Sequence, residues 1–248
     1  MIDAWYRRCL MTATRVAAAF LLVAAAVCPV RAGDESGWDG DARSAVRLIA
    51  GSAGSEASAK FRRAGIEIRL GRGWKTYWRY PGDSGVPPRF DFARSENVDS
   101  VAVQWPAPRS FSDGVGSSIG YESDVVFPLR IVPKDDGKPV VLRLDLEYAV
   151  CEKLCVPATA KVELAVGTGA GSHDAKLAAS EARVPKPVAI GAPGPLVITS
   201  VRRVAEGVRG RILVEMTAPG GQAVELFAEG PTPDWALPVP EPQRDAPT

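Results

Sequence analysis

The chain has 248 residues, with 30 Lys and Arg against 29 Asp and Glu and a formal net charge of +1. That balance gives no general basic field, which argues against nucleic acid or an anionic membrane surface as a partner. The length suits one large domain or two small ones. Short apolar runs among 24 glycines and 21 prolines favour β-structure over a helical bundle.

The N-terminus predicts a compartment. Arg7, Arg8 and Arg15 precede an apolar run over residues 16–27, and Val30-Arg-Ala32 offers small residues where a signal peptidase reads. This is the order of a secretory signal. A run of about 12 residues is too short to span a bilayer. Residues 1–32 are therefore expected to be removed on export, with either Met1 or Met11 as the start. Loss of Asp3, Arg7, Arg8, Arg15 and Arg31 leaves a net charge of about −2. No later segment approaches 18 apolar residues, so no membrane span is expected after cleavage.

The remaining chain reads as strands and turns. Residues 33–45 are polar and Gly-rich, a flexible lead-in. A first strand is expected over residues 46–50 and a loop over 51–58. Ile66, Ile68 and Leu70 alternate with Glu67 and Arg69, the period of a half-buried strand. Gly71-Arg-Gly73 makes a turn, and residues 74–80 form an aromatic strand ended by Pro81-Gly-Asp83. Val101, Val103 and Trp105 alternate again. Residues 125–132 give a further strand, in which Pro128 suggests an edge or a bulge. The clearest alternation is Val140, Leu142, Leu144, Leu146, Tyr148 and Val150 on one face, with Arg143, Asp145 and Glu147 on the other. Residues 161–166 supply the returning strand. About seven short strands in about 120 residues predict an all-β, immunoglobulin-like antiparallel β-sandwich over residues 46–166.

Residues 167–195 break this rhythm and read as a linker, with a short helix over residues 174–183. Strands resume at residues 196–204, 211–217 and 223–228. Three strands are too few for a second sandwich. Residues 196–248 thus read as a partial β-module with a Pro-rich tail that is either incomplete or packed on the first domain.

Once the signal is removed, Cys151 and Cys155 are the only cysteines. They lie in Tyr148-Ala-Val-Cys-Glu-Lys-Leu-Cys-Val-Pro157, at the turn between two strands. A close pair in an exported chain is expected to be oxidised, and an i,i+4 pair in a turn can bring its Cβ atoms near 4 Å. Closing so small a ring removes little unfolded-state entropy, which tilts the pair toward redox use. Spacing alone leaves three readings open: a structural disulfide, a redox couple and a soft-metal site. Val156-Pro157 stiffens the exit of the turn.

Four segments then occur in a set order: Gly73-Trp-Lys-Thr-Tyr-Trp-Arg-Tyr-Pro-Gly-Asp-Ser-Gly-Val-Pro-Pro88, Trp105-Pro106, Gly120-Tyr-Glu-Ser-Asp-Val-Val-Phe-Pro128, and residues 148–157. In that order they resemble the N-terminal periplasmic domain of the thiol:disulfide interchange protein DsbD and its ScsB-type relatives. The resemblance covers about residues 45–166 and extends more loosely to Pro240. It implies an immunoglobulin-like fold in which Cys151 and Cys155 shuttle electrons to thioredoxin-fold periplasmic proteins, transfer of the kind linked to cytochrome c biogenesis. It also implies a cap loop over residues 112–122, with Ile119 or Tyr121, flanking Gly120, as the covering side chain and Gly114, Gly116 and Gly120 giving the loop freedom. The DsbD cap carries Phe-Tyr-Gly where this loop reads Val115-Gly-Ser-Ser-Ile-Gly-Tyr121, and the DsbD cysteines lie farther apart. The membrane and thioredoxin-like domains that follow in DsbD have no counterpart here, so a separate membrane electron donor is expected. Cys155 is taken as the sulfur that exchanges first.

Other residues have plainer readings. His173 is the only histidine, so neither a zinc site nor a Ser-His-Asp site is expected. Trp74, Tyr77 and Trp78, with Val156 and Pro157, could face a partner, although alternation assigns about half of the aromatic strand to the core. No metal and no cofactor is expected, and the mature protein is expected to be a monomer. Three functions remain: a periplasmic thiol–disulfide exchange module of the protein-disulfide reductase type, a Cu(I)-handling protein, and a non-redox binding sandwich with a structural disulfide.

Overall fold

The computed structural model describes residues 33–242 apart from 57–58, 84, 113–115, 168, 170, 206–209, 219, 221–223, 233–234 and 236. The predicted signal, residues 1–32, and Gly114 of the expected cap loop lie outside the described residues. In chain order the strands are β1 (Asp39–Gly40), β2 (Ser44–Ala50), β3 (Gly54–Glu56), β4 (Ala59–Leu70), β5 (Lys75–Gly82), β6 (Arg89–Asp91), β7 (Val98–Val103), β8 (Arg109–Ser112), β9 (Ser117–Tyr121), β10 (Val125–Pro133), β11 (Val140–Cys151), β12 (Cys155–Val166), β13 (Val197–Val204) and β14 (Arg211–Thr217). One helix, α1 (Asp174–Glu181), lies between β12 and β13.

Two antiparallel sheets face each other as an immunoglobulin-like sandwich. The first runs β1-β2-β4-β10-β7, with β3 paired on β4. The second runs β12-β11-β5-β9-β8, with β6 paired on β11. Alternation explains the core. Val46, Leu48, Ile66, Ile68, Phe127 and Leu129 point inward from the first sheet, and Trp78, Ile119, Leu142, Leu144, Leu146 and Tyr148 meet them from the second. The longest ladder is β11–β12, paired without interruption from Val140↔Val166 to Cys151↔Cys155.

Pro128 and the C-terminal segment differ from the sequence expectation. Pro128 lies in β10, which is not an edge strand but runs between β4 and β7. It is tolerated because its carbonyl accepts from Gln104 N (2.8 Å) on the β7 side, just beyond the last ladder pair, Leu129↔Val103. Its missing N–H therefore removes no bond to β4. The residues described between 224 and 230 form no strand. They return to the sandwich, where Phe227 packs on Trp78 at 6.1 Å between ring centroids and Arg79 Nε donates to Glu229 at 2.6 Å. Farther on, the Tyr80 hydroxyl donates to Leu237 O at 2.8 Å. β13 and β14 form a separate two-stranded sheet.

The segment read as a linker carries a helix pinned to the first sheet. Leu177 is fully buried, and the Ser180 hydroxyl donates to Val126 O. Arg63 on β4 donates to Asp174 (2.8 Å) and Glu181 (2.8 Å), while Lys176 and Arg47 both donate to Glu67, at 2.6 and 2.7 Å. Burial pushes the Glu67 carboxyl up, but the bonds from Lys176 and Arg47 outweigh it and hold the group below its ordinary range. Bonds from Ser52 and the charge of Arg63 lower Asp174 as well. No helix among the described residues is long and apolar enough to cross a membrane.

The depressed carboxyls set a pH dependence. Both groups bind protons less readily in the folded chain than in the unfolded one, so their stabilisation is complete above the ordinary carboxylate pKa of about 4 and is lost as pH falls through their lower folded values. Amide-exchange protection factors over α1, taken relative to the intrinsic rate at each pH, are expected to fall below about pH 4 before those over β11 do. Simultaneous loss of protection in both elements would contradict this.

Candidate functional site

The two cysteines end the longest ladder. Cys151 closes β11, Cys155 opens β12, and residues 152–154 turn between them. The sulfurs are joined as a disulfide, with the Cα atoms 4.0 Å apart. Parity decides which face they take. Val150 and Val156 are inward, so Cys151 and Cys155 project from the outer face of the second sheet.

That face is charged along Arg143, Asp145 and Glu147 but apolar at its end. Cys151 is 4% exposed and clusters with Tyr77, Phe111 and Ala149. Cys155 is exposed, as are Glu152, Lys153, Leu154 and Pro157 around it, and Leu154 reaches 78% exposure. The two sulfurs thus have unlike surroundings. The Tyr77 oxygen is 3.0 Å from Cys155 Sγ. A disulfide sulfur carries no hydrogen, so the hydroxyl donates. The Tyr77 ring lies 6.2 Å from that of Phe111, and Lys75 Nζ stands over the Phe111 ring at 4.4 Å.

Two glycines allow this packing. A Cβ at Gly85 would collide with the Tyr77 ring, so the loop after β5 can press on Tyr77 only because residue 85 has no side chain. A Cβ at Gly120 would collide with the Thr76 carbonyl. Gly120 therefore lets β9 approach β5 closely.

The predicted cap residues are placed differently. Ile119 and Tyr121 are 1% and 5% exposed and belong to the core between the sheets. The Tyr121 ring meets Phe127 edge-on at 5.3 Å, and its hydroxyl donates to Pro106 O at 2.8 Å. Burial raises the Tyr121 pKa far above its ordinary value. Pairing of β9 with β5 and β8 turns these side chains inward, and the structure brings neither to the sulfurs. Of the expected partner-facing residues, Tyr77 and Trp78 are buried, Trp74 and Val156 are half-buried, and Pro157 is exposed. Tyr77 lies under the disulfide instead of facing a partner. Phe111 is not among the sequence-predicted site residues, because one aromatic in Arg109-Ser-Phe-Ser112 carries no motif. Its only signal was alternation.

His173 Nε2 lies 2.9 Å from a Glu35 carboxylate oxygen. Among the described residues no group of three or more His, Cys, Asp or Glu side chains could hold a metal ion.

Residues 47–167 match the family described as thiol:disulfide interchange protein DsbD, N-terminal. Among solved structures, the N-terminal periplasmic domain of ScsB from Proteus mirabilis is similar at 21% identity and a TM-score of 0.52, over 77% of this chain and 88% of that one. At that identity the likeness establishes the fold. No curated protein matches the chain.

The geometry separates two side chains. Phe111→Ala is expected to open Cys151 to small thiols and raise the rate of reduction by dithiothreitol, since access is one factor in the exchange rate. Ile119→Ala is expected to lower stability by about 2–5 kcal/mol in urea melts without that acceleration. Faster reduction in Ile119→Ala, under conditions where it stays folded, would return the covering role to that residue.

Proposed function

From the match of residues 47–167 to the family of DsbD N-terminal domains, we propose that this chain is a periplasmic thiol–disulfide exchange module. It passes two electrons between a separate membrane or thioredoxin-fold donor and thioredoxin-fold partner proteins. Export rests on the signal-like pattern of residues 1–32. The observation that carries the mechanism is the asymmetry of the pair, with Cys155 exposed and Cys151 buried.

In the proposed reaction a partner thiolate attacks Cys155 Sγ. The Cys151–Cys155 bond breaks, a mixed disulfide forms, and the bond's electron pair leaves on Cys151 as a thiolate. The second thiol of the partner, deprotonated, then attacks the mixed disulfide. The partner departs oxidised and Cys155 is released as a thiolate, so the pair gains two electrons, and protons as pH dictates. Run in reverse, Cys155 attacks a partner disulfide and Cys151 resolves it. The hydroxyl of Tyr77 is placed to donate to the Cys155 thiolate in either direction.

Trapping tests this reading. Cys151→Ala keeps the exposed sulfur and removes the resolving one, so it is expected to accumulate a mixed disulfide with a thioredoxin-fold protein in periplasmic extract. Cys155→Ala is expected to trap far less. The reduction potential is expected well above the value of about −300 mV below which structural disulfides lie. A potential below that value, with no trapped partner, would make the pair a static disulfide.

A further inference from the structure

The second sheet aligns four chemically active side chains in one row, from β12, β11 and β5 to the residue just after β9. Cys155 pairs with Cys151 across β12–β11, and Cys151 pairs with Lys75 across β11–β5. The β5–β9 ladder has Tyr77↔Gly120 and Thr76↔Tyr121. Glu122 follows Tyr121 just past the end of β9, and Lys75 Nζ lies 2.9 Å from its carboxylate. Adjacent strands lie about 4.8 Å apart, and directly opposed Cβ atoms about 5 Å apart. The parity agrees, since Lys75 and Tyr77 share the outer face of β5 and Tyr77 clusters with Cys151. The ammonium is held there: the Lys75 side chain is 23% exposed, and its Nζ rests over Phe111, which also packs with Cys151.

We propose that Lys75 is a positioning residue for thiol–disulfide exchange, its ammonium shared between the Glu122 carboxylate and the thiolate that Cys151 becomes when the disulfide opens. This rests on the exchange reading and adds to it the group that receives the departing charge. When a dithiol protein attacks Cys155, the electron pair of the broken bond moves to Cys151 Sγ. That sulfur lies among Tyr77, Phe111 and Ala149. An unpaired anion there is disfavoured by desolvation, and a less acidic thiol is a slower leaving group. Lys75, directly opposite Cys151 on the neighbouring strand, supplies the opposite charge. Glu122 competes for the same ammonium, so the two residues act in opposite senses.

Among the described residues, register places these charged and titratable groups near Cys151. Lys75 and Tyr77 approach from β5, Cys155 from β12, and Glu122 stands behind Lys75. Glu152 follows in the chain, with its carboxylate beside Gly73. β8 presents the uncharged Phe111 and, two residues earlier on the same face, Arg109, which lies in the row of Tyr77 and Gly120. The pair is partly exposed, at 23% for Lys75 and 46% for Glu122, and such a pair contributes at most about 1 kcal/mol, so its substitution is expected to leave the fold intact.

The test uses the exported chain carrying Cys155→Ser, with alkylation of Cys151 followed against pH on its own peptide by mass spectrometry. Lys75→Gln is expected to move the alkylation profile to higher pH, and Glu122→Gln to lower pH. Lys75→Arg is expected to keep the wild-type profile. With both cysteines present, reduction by dithiothreitol is expected to slow about threefold in Lys75→Gln and to quicken in Glu122→Gln. No shift, or shifts of the same sign in both variants as packing damage would give, overturns the proposal. Trapping by Cys151→Ala judges the exchange reading separately. A trapped partner without opposite shifts sinks the Lys75 proposal alone. Opposite shifts without any trapped partner sink the exchange reading, and with it the use assigned to Lys75.

Discussion

The register of β11 is the constraint on which the rest depends. Its inward residues, from Val140 to Val150 in steps of two, fill the core, so its outward series must be Val141, Arg143, Asp145, Glu147, Ala149 and Cys151. A slip of one residue would exchange the two sets and drive charge into the sandwich. Burial of six apolar side chains therefore fixes the side on which the sulfur emerges. The uninterrupted ladder to β12 carries the same decision to Cys155.

What surrounds the sulfurs follows from a change of neighbour along β11. At Asp145–Glu147 its partner is the three-residue β6, and that part of the face stays charged. At Val150–Cys151 the partner is β5, which brings β9 and β8 behind it. Tyr77 and Phe111 arrive by this route and make a small apolar site on an otherwise polar face. β5 is held from both sides. Its outward Tyr77 sits under Gly85, while its inward Trp78 and Tyr80 are covered by Phe227 and Leu237 of the returning C-terminal segment. The position of Tyr77 thus depends on chain about 150 residues away in sequence.

Periodicity made the long strands legible. β4 and β11 send apolar residues to the core at a period of two, which the sequence displays directly, while β2 is buried on both faces. β6, β8 and β9 are short and carry Ser, Arg and Gly, so no pattern announced them. That omission misplaced Ile119 and Tyr121: bulky residues beside glycine read as a mobile loop until pairing with β5 turned them inward. Pro128 read as an edge because a local rule cannot know where β7 ends. The cysteine pair was legible from its spacing and its turn. Its neighbours were not, because Lys75, Tyr77 and Phe111 meet it through cross-strand register, which belongs to the assembled sheet.

The placement of the disulfide at the end of a ladder has a thermodynamic consequence. Cys151↔Cys155 is the last pair beside the turn, and eleven further pairs in β11–β12 do not involve the sulfurs. The cross-link closes a loop of about five residues, which removes little entropy from the unfolded chain. Opening it therefore leaves the hairpin register intact, held by the core below it. Cys151 stays against Tyr77 and Phe111, and Cys155 stays at the turn. A hairpin built this way separates the redox state of the pair from the stability of the fold. A cross-link between distant strands could not do so, since reducing it would release a long loop and weaken the sandwich with every cycle.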